Sequence, residues 1–266
     1  MILESMEKRL RRGLQALGLP EDGAASMAMH ARLLMERNQV MNLTALQSEE
    51  EIVNLHFLDS CALLNLFDFH GKSVLDIGSG AGFPGLPLKM ADPSVRLVLL
   101  DAQKKRVDFL REVCRETGLS NVTCIHARAE EWTRNCRESF DVVISRAVAA
   151  LPILAELCMP LVRVDGYFLA MKSVHTEEEV SAARNAISIL GGTLERTADY
   201  AIPGTDVIHR LIVVRKVQKT PPRYPRPFGQ IKKKPLEKRR EETTDKMKAR
   251  EGREKRQKVQ EDFQED

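Results

Sequence analysis

Between residue 2 and about residue 66, apolar positions recur at helical spacing. Leu10, Leu14 and Leu17 fall four and three apart, and Gly18 and Pro20 then end that run. A second stretch, from about Asp22 to Asn38, places Ala, Met and Leu on one face. "MNLTAL" interrupts it. Ser48, followed by Glu51, reads as a capping box that opens a third helix through "EEEIVNLHFLDSCALLNLF". After Gly71 the period changes to short apolar runs, "SVLDIG", "RLVLLDA", "VTCIHA", "FDVVISRA" and "GYFLAMKS", each expected to be a buried strand. Stretches between them, such as "KKRVDFLREVCRETG" and "ALPILAELCMPLVR", keep helical spacing, so right-handed βαβ units around a parallel sheet are predicted. "DYAIPGTDVIHRLIVVRK" breaks the rhythm. It offers two strands around Pro203-Gly204 with no helix between them, which requires an antiparallel hairpin. The fold class is therefore α/β, a doubly wound, mainly parallel sheet of seven strands with an antiparallel C-terminal hairpin and an N-terminal helical extension.

The length of 266 residues suits one domain with appendages. The pattern divides the chain into a helical region (1–70), the α/β domain (71–217), a basic Pro-rich segment (218–236) and a charged tail (237–266) that is helical or disordered. Charge sharpens this division. Residues 1–214 carry 23 Lys+Arg against 28 Asp+Glu, residues 215–240 carry 11 against 1, and residues 241–266 carry 7 against 9. The net charge of +3 thus hides one strongly basic segment, the arrangement expected of a chain that touches a polyanion at a defined place. Five unevenly spaced cysteines without a C-x-x-C argue against a zinc site or a disulfide framework, and for a reducing compartment. "MILESMEKRLRRGLQ" has no apolar signal region and no stretch reaches membrane-spanning length. A soluble cytoplasmic protein with no metal and no membrane partner is expected.

Candidate chemistry centres on "VLDIGSGAGFPG". Asp76 ends the first strand, and Gly78, Gly80 and Gly82 let the chain turn sharply and lay its backbone against a ligand at the carboxyl edge of the sheet. Asp101 closes the second strand, where a carboxylate can accept hydrogen bonds from ribose hydroxyls or simply cap the next helix. "ARAEEW" brings Ala129 and Glu130 to the same edge, where backbone N–H groups can meet adenine; Glu130 is equally a first-turn acid favoured by a helix dipole. Arg146, just beyond the fourth strand, can hold a cofactor carboxylate or a substrate phosphate, or pair with a neighbouring acid. A dinucleotide site shares several of these features, so a nucleotide-dependent oxidoreductase stays open, as does a non-catalytic RNA-binding or assembly factor. The fourth strand end has no D-P-P-Y or N-P-P-Y to grip an exocyclic amine and no Pro-Cys nucleophile, so an acceptor with its own free lone pair is expected.

Taken together, "RNQVMNLTAL", "HFLDS", "VLDIGSGAGFPGLPL", "DAQKKRVDFL", "ARAEEW", "VISRAVA" and "KKKPL" resemble, in order and spacing, the small-subunit ribosomal RNA methyltransferase G family, also called glucose-inhibited division protein B. The resemblance runs from about residue 5 to Leu236. It implies a class I methyltransferase sheet, S-adenosylmethionine as donor, and N7 of guanine 527 in 16S ribosomal RNA of the small (30S) subunit as acceptor; apart from the resemblance, a monomer is expected, although the sequence itself does not show the oligomeric state. It places cofactor contacts at Gly78, Phe83, Ala129, Glu130 and Arg146, beside Asp76 and Asp101 from the reading above. N7 carries an in-plane lone pair and needs no base, so alignment and electrostatics must do the work. Asp59 can offset the positive charge that migrates to the purine, or can staple its helix to the sheet together with His56. Asn42 and Thr44 can bond the purine edge or shape their turn. No residue takes a firm catalytic role: Arg146, Asp59 and Asn42 are the candidates. RNA contact is expected from Arg223, Arg226, Lys232, Lys233 and Lys234, with Tyr224 and Phe228 stacking on unpaired bases and the prolines keeping the segment extended. The 30 residues beyond Leu236 lie outside the resemblance.

Overall fold

The computed structural model describes residues 2–146 and 148–236. α1 (Ile2–Ala16) and α2 (Ala24–Met41) lead into a segment that is not one continuous α-helix. It consists of α3 (Glu49–Ile52), a π-helical turn (Val53–Leu58), α4 (Asp59–Cys61) and a 3₁₀ turn (Ala62–Asn65). The capping box is present: Ser48 Oγ accepts from Glu51 N, and Glu51 reaches back to Ser48 N. A π-turn widens the helix by one residue and redirects the side chains it carries, and such turns recur at functional sites. Here they are Asn54, Leu55 and His56.

The remainder alternates β1 (Ser73–Ile77), α5 (Gly85–Ala91), β2 (Arg96–Asp101), α6 (Lys104–Glu116), β3 (Val122–His126), α7 (Ala129–Trp132), β4 (Phe140–Arg146), α8 (Leu151–Cys158), β5 (Val162–Ser173) and α9 (Glu177–Ile189). It closes with β6 (Gly192–Ala201), β7 (Ile208–Lys216) and α10 (Phe228–Lys233). Strand order is β3-β2-β1-β4-β5-β7-β6. β7 runs antiparallel to β5 and β6; the pairings among β1 to β5 are parallel. β5 begins four residues before the expected run, where Val162 pairs with Phe140 of β4, and β6 begins seven before, because β7 inserts between β5 and β6 and pairs along β6 from Gly192.

Strand residues alternate between two cores. Val74, Leu99, Ile144 and Val213 face the layer of α1, α2, α5 and α6, whereas Leu75, Leu100, Val143 and Val214 face α8, α9 and α10. Burial on both faces explains why these strands read as continuous apolar runs. Lys216, fully buried at the end of β7, donates to the Met159 and Val162 carbonyls and to Thr220 Oγ1; burial lowers its pKa to about 8. The strand order reverses between β1 and β4, so their carboxyl ends form the crevice where open α/β sheets bind ligands.

The segment 218–236 is not extended. It turns at Pro221–Tyr224, and Arg137 clamps the turn by donating to the carbonyls of Thr220, Pro221 and Tyr224. Tyr224 and Ile231 then anchor it in the second core. The charged tail, 237–266, lies outside the described residues. Among those residues, no helix is long and apolar enough to cross a membrane.

Candidate functional site

The glycine loop follows β1 at the crevice. Gly78, Gly80 and Gly82 all have positive φ (69°, 57° and 100°), which L side chains rarely tolerate. Their surroundings differ. A Cβ at Gly78 would stand 2.5 Å from Val148 Cγ2, and one at Gly82 would stand 2.5 Å from Leu86 Cδ1 and 3.2 Å from His30 Cε1. At Gly80 the nearest atom is 3.8 Å away, so this position alone of the three opens on free space. The glycines that sequence reading assigned jointly to a ligand are therefore split: conformation and protein packing account for Gly78 and Gly82, and Gly80 leaves room for a ligand.

Two carboxylates fix the loop. Asp101, 4% exposed, accepts from Gly80 N (3.0 Å) and Gln103 N (2.8 Å), tying β2 to the loop and to the start of α6. It thus acts as a helix-start acceptor while retaining acceptor capacity on both oxygens. Asp76 is fully buried; its Oδ2 accepts from Gly85 N (3.0 Å) and its Oδ1 has no partner among the described residues. Burial pushes its carboxyl up to about 7, against the opposing pull of Gly85 N–H and Arg146. An orphaned buried oxygen, an open Gly80 and a carboxylate at the end of β2 fit a donor molecule that carries both hydroxyl and ammonium groups.

From the loop, Phe83 enters an aromatic stack. Its ring lies between His30 (centroids 5.0 Å) and His56 (4.5 Å), with Arg146 5.2 Å from its centroid. Phe83 is only 5% exposed, so its ring serves the protein. His30 Nε2 donates to the Ala81 carbonyl (2.8 Å), which holds the loop from the α2 side, and burial lowers its pKa to about 4.

The second half of the site is a cavity of about 310 Å³ at the carboxyl ends of β4 and β5, lined by Leu55, His56, Asp59, Arg146, Met171, Lys172, Ser173 and His209. Asp59, fully buried, is its hub. Oδ2 accepts from Arg146 Nη1 (3.0 Å), and Oδ1 accepts from Tyr200 Oη (2.8 Å) and His209 Nδ1 (2.9 Å). Arg146 also donates to the Leu55 carbonyl (3.1 Å) and, through Nη2, to His56 Nδ1 (2.9 Å). A guanidinium only donates, so Nδ1 is the acceptor and the His56 proton sits on Nε2, which donates to Thr44 Oγ1 (2.8 Å). Burial and the Arg146 charge hold His56 neutral, with its pKa lowered to about 3. Lys172 lines the same cavity, its Nζ bonded to the Ala149 carbonyl (2.7 Å) and Glu179 (2.6 Å).

Several sequence expectations change on this geometry. Arg146 does pair with an acid, but that acid is the buried Asp59, so the pair is a wall of the cavity and not a surface bridge. Asn42 is the left-handed cap of α2 (φ 50°, ψ 57°), exposed and outside the cavity; Asn38 shapes the "NLTA" turn by bonding Leu43 N, Thr44 N and the Thr44 carbonyl. Ala129 and Glu130 open α7 after β3 as expected, with Ala129 buried and Glu130 half-buried.

Arg226 is corrected: its fork is taken up by fully buried Glu156 (2.8 and 2.6 Å), so it anchors the segment and offers no free charge. Tyr224, 6% exposed, has no ring face for a base, and Phe228 packs partly buried beside it. Arg223, Lys232, Lys233 and Lys234 are exposed. Thr220 N bonds Glu138, just before β4, and Gln218 N bonds the Gly191 carbonyl, just before β6, so the basic segment starts at the amino edge of the sheet, opposite the cavity. Sequence reading missed His209, Tyr200, His30 and Lys172. The signal for the first two was present: they are polar residues in strands, and once the hairpin is drawn they are directly paired across it.

The family model described as rRNA small subunit methyltransferase G (GidB) matches residues 24–203. Proteins named ribosomal RNA small subunit methyltransferase G are 41% identical over 232 residues in Alkaliphilus metalliredigens (85% of this chain, 97% of that protein) and 44% identical over 229 residues in Lachnoclostridium phytofermentans (84% and 95%). Among solved structures, a SAM dependent methyltransferase from Aquifex aeolicus aligns over 65% of this chain and 96% of its own at 16% identity, with a TM-score of 0.49. The match across most of the chain and the relatives' near-complete coverage give the identification: the chain belongs to the rRNA small subunit methyltransferase G family.

Proposed function

We propose that this chain transfers a methyl group from S-adenosylmethionine to N7 of a guanine in 16S ribosomal RNA. One observation carries the choice of acceptor. The two cations on the 310 Å³ cavity, Arg146 and Lys172, can only donate, while its one carboxylate, Asp59, is fully buried and already accepts three hydrogen bonds. Guanine's major-groove edge presents two acceptors, N7 and O6. Donors can orient O6 and leave the N7 lone pair to attack. An exocyclic amine would instead call for a strong acceptor such as a carboxylate to receive its hydrogens, and the only carboxylate of the lining, Asp59, is taken up by Arg146, Tyr200 and His209.

S-adenosylmethionine supplies an electrophilic methyl on a sulfonium. Asp101 and Asp76 would hold it, Asp101 by accepting from ribose hydroxyls and Asp76 through its unpartnered Oδ1, with the glycine-loop backbone at Gly80 alongside. The family relationship, the relatives' printed name and this donor set support the reading together. The chain's own task is alignment. Holding two reactants in line can lower a barrier by about 7–11 kcal/mol in favourable systems. His56 cannot serve as a base in this arrangement, because Arg146 occupies its only lone pair, and N7 chemistry requires none. Asp59, beneath Arg146, tempers the cation that would otherwise oppose positive charge growing on the purine.

Incubation with unmethylated 30S subunits and with naked 16S RNA, using donor labelled on the methyl, tests the proposal. Label should enter RNA and map to N7 of one guanine. Label confined to protein or small molecules, or found on an exocyclic amine, would overturn it.

A further inference from the structure

A second cavity, of about 380 Å³, lies between α1, the π-turn and the β6–β7 loop; its walls include Lys8, Arg9, Arg12, Asn54, Leu58 and Gly204. Three exposed cations of α1 face it against one acid, Glu50, which pairs with Arg9 at 3.4 Å. Among the described residues neither Lys8 nor Arg12 has an ion-pair partner, although Arg11 beside them is paired twice, to Glu7 and Glu21. Helical spacing accounts for the difference: Lys8 and Arg12 are i and i+4 on one face, and Arg11 points to another.

The floor of the groove supplies an independent observation. Asn54 is 5% exposed, and among the described residues its amide has no hydrogen-bond partner; it lines the groove. The amide is left to the water of the groove, and an oxygen of an anionic ligand can replace that water without displacing any bond within the protein. Two glycines shape the groove. At Gly13 a Cβ would stand 2.2 Å from Leu58 Cδ1, so only glycine lets α1 approach the π-turn this closely. At Gly204 (φ 76°) a Cβ would stand 3.4 Å from Asn54 Nδ2 and begin to cover the amide.

The groove also adjoins the site described above. Asn54 and Leu58 face it, while Leu55, His56 and Asp59 of the same segment line the 310 Å³ cavity. The hairpin does likewise, with Gly204 on one side and His209 on the other. The basic C-terminal segment, by contrast, starts at the opposite edge of the sheet.

We infer that this groove holds a backbone phosphate of the RNA strand that presents the target base, with Lys8 and Arg12 supplying charge and the Asn54 amide donating to a phosphate oxygen. The inference rests on the RNA methyltransferase reading. Phosphate contacts fix position and register without reading sequence, so the groove sets how the strand enters the cavity and the cavity selects the base.

The test compares wild type with Lys8→Gln/Arg12→Gln and, separately, Asn54→Ala. RNA affinity is measured with a 16S RNA fragment across a salt series, and donor affinity by calorimetry on the same preparations. Losing the two cations that hold this phosphate should weaken RNA binding about tenfold at physiological salt and reduce the slope of log affinity against log salt by about 0.7 to 0.9. Under turnover the double variant should raise KM for RNA while kcat stays within about twofold. Asn54→Ala should weaken RNA binding without changing the slope, because it removes no charge. Donor affinity should be unchanged in all three proteins, which also reports that the variants are folded. Unchanged RNA affinity and slope in the double variant, with wild type binding RNA normally, would overturn the groove assignment alone. A wild-type protein that binds donor but no RNA would overturn the methyltransferase reading and the groove with it.

Discussion

At Asp59, elements far apart in sequence share one carboxylate: β4 through Arg146, β6 through Tyr200 and β7 through His209. Asp59→Asn keeps the shape and removes the charge, leaving a guanidinium at 15% side-chain exposure without its counter-ion. Breaking a buried pair in this way costs about 3–5 kcal/mol. Chemical denaturation should register a loss of that order, and methyl transfer should fall at least tenfold even where the variant is fully folded. Full stability and full activity would show the hub to be incidental.

The histidines give the protein a pH dependence with a defined sign. His30 (about 4) and His56 (about 3) lie below the ordinary 6.5, so the unfolded chain takes up protons first as pH falls. Their contribution to stability is intact above 6.5 and is lost progressively as pH falls toward those values; at pH 5 each accounts for about 2 kcal/mol. Asp76 runs the other way. Its pKa, raised to about 7, makes the folded state most favoured when protonated, and that advantage fades as pH rises through 7. His56→Gln should therefore cost less, relative to wild type, at acid pH: the stability gap should narrow by about 2 kcal/mol between pH 7.5 and pH 5 in urea titrations. A gap independent of pH would contradict the neutral, Arg146-bonded His56.

At the level of elements, the glycine loop separates conformational need from ligand need. Gly80→Ala meets nothing closer than the Gly78 carbonyl oxygen at 3.8 Å and carries only the left-handed penalty of about 1–2 kcal/mol. Gly82→Ala adds a collision with Leu86 at φ 100° and should lower the melting temperature considerably more. Donor binding should be lost or strongly weakened in Gly80→Ala while the fold survives; intact donor affinity there would move the donor elsewhere. The loop, Asp76 and Asp101 were legible in sequence because their signal is local, a turn of glycines behind a strand. The hub was only half legible. "HFLDS" and Arg146 could be picked out, but the bonds from Tyr200 and His209 depend on β7 inserting between β5 and β6, and no local period encodes a strand order. Asn42 misled for the opposite reason: its role is local, a left-handed cap, and a motif string does not distinguish cap from ligand.

Over the whole molecule, alternation of strand and helix gave the doubly wound sheet, and the lack of a helix between the last two strands gave the antiparallel end. Charge was harder to place. Eleven basic residues in 26 mark 215–240 as a surface for a polyanion, yet Arg226 is spent on Glu156 and Lys216 is buried. Side-chain commitment is a tertiary property that composition does not carry. Lys232, Lys233 and Lys234 stay exposed, and their joint replacement by Gln should flatten the salt dependence of RNA binding; an unchanged slope in filter binding would remove the segment from the RNA surface. Most direct for the account as a whole is a structure of the protein with a donor analogue and an RNA carrying the target guanine. It should show the donor against Gly80 and Asp101, and the guanine in the cavity of Arg146, Lys172 and His209 with N7 turned toward the donor. A guanine bound elsewhere, or a cavity filled by another part of the RNA, would contradict it.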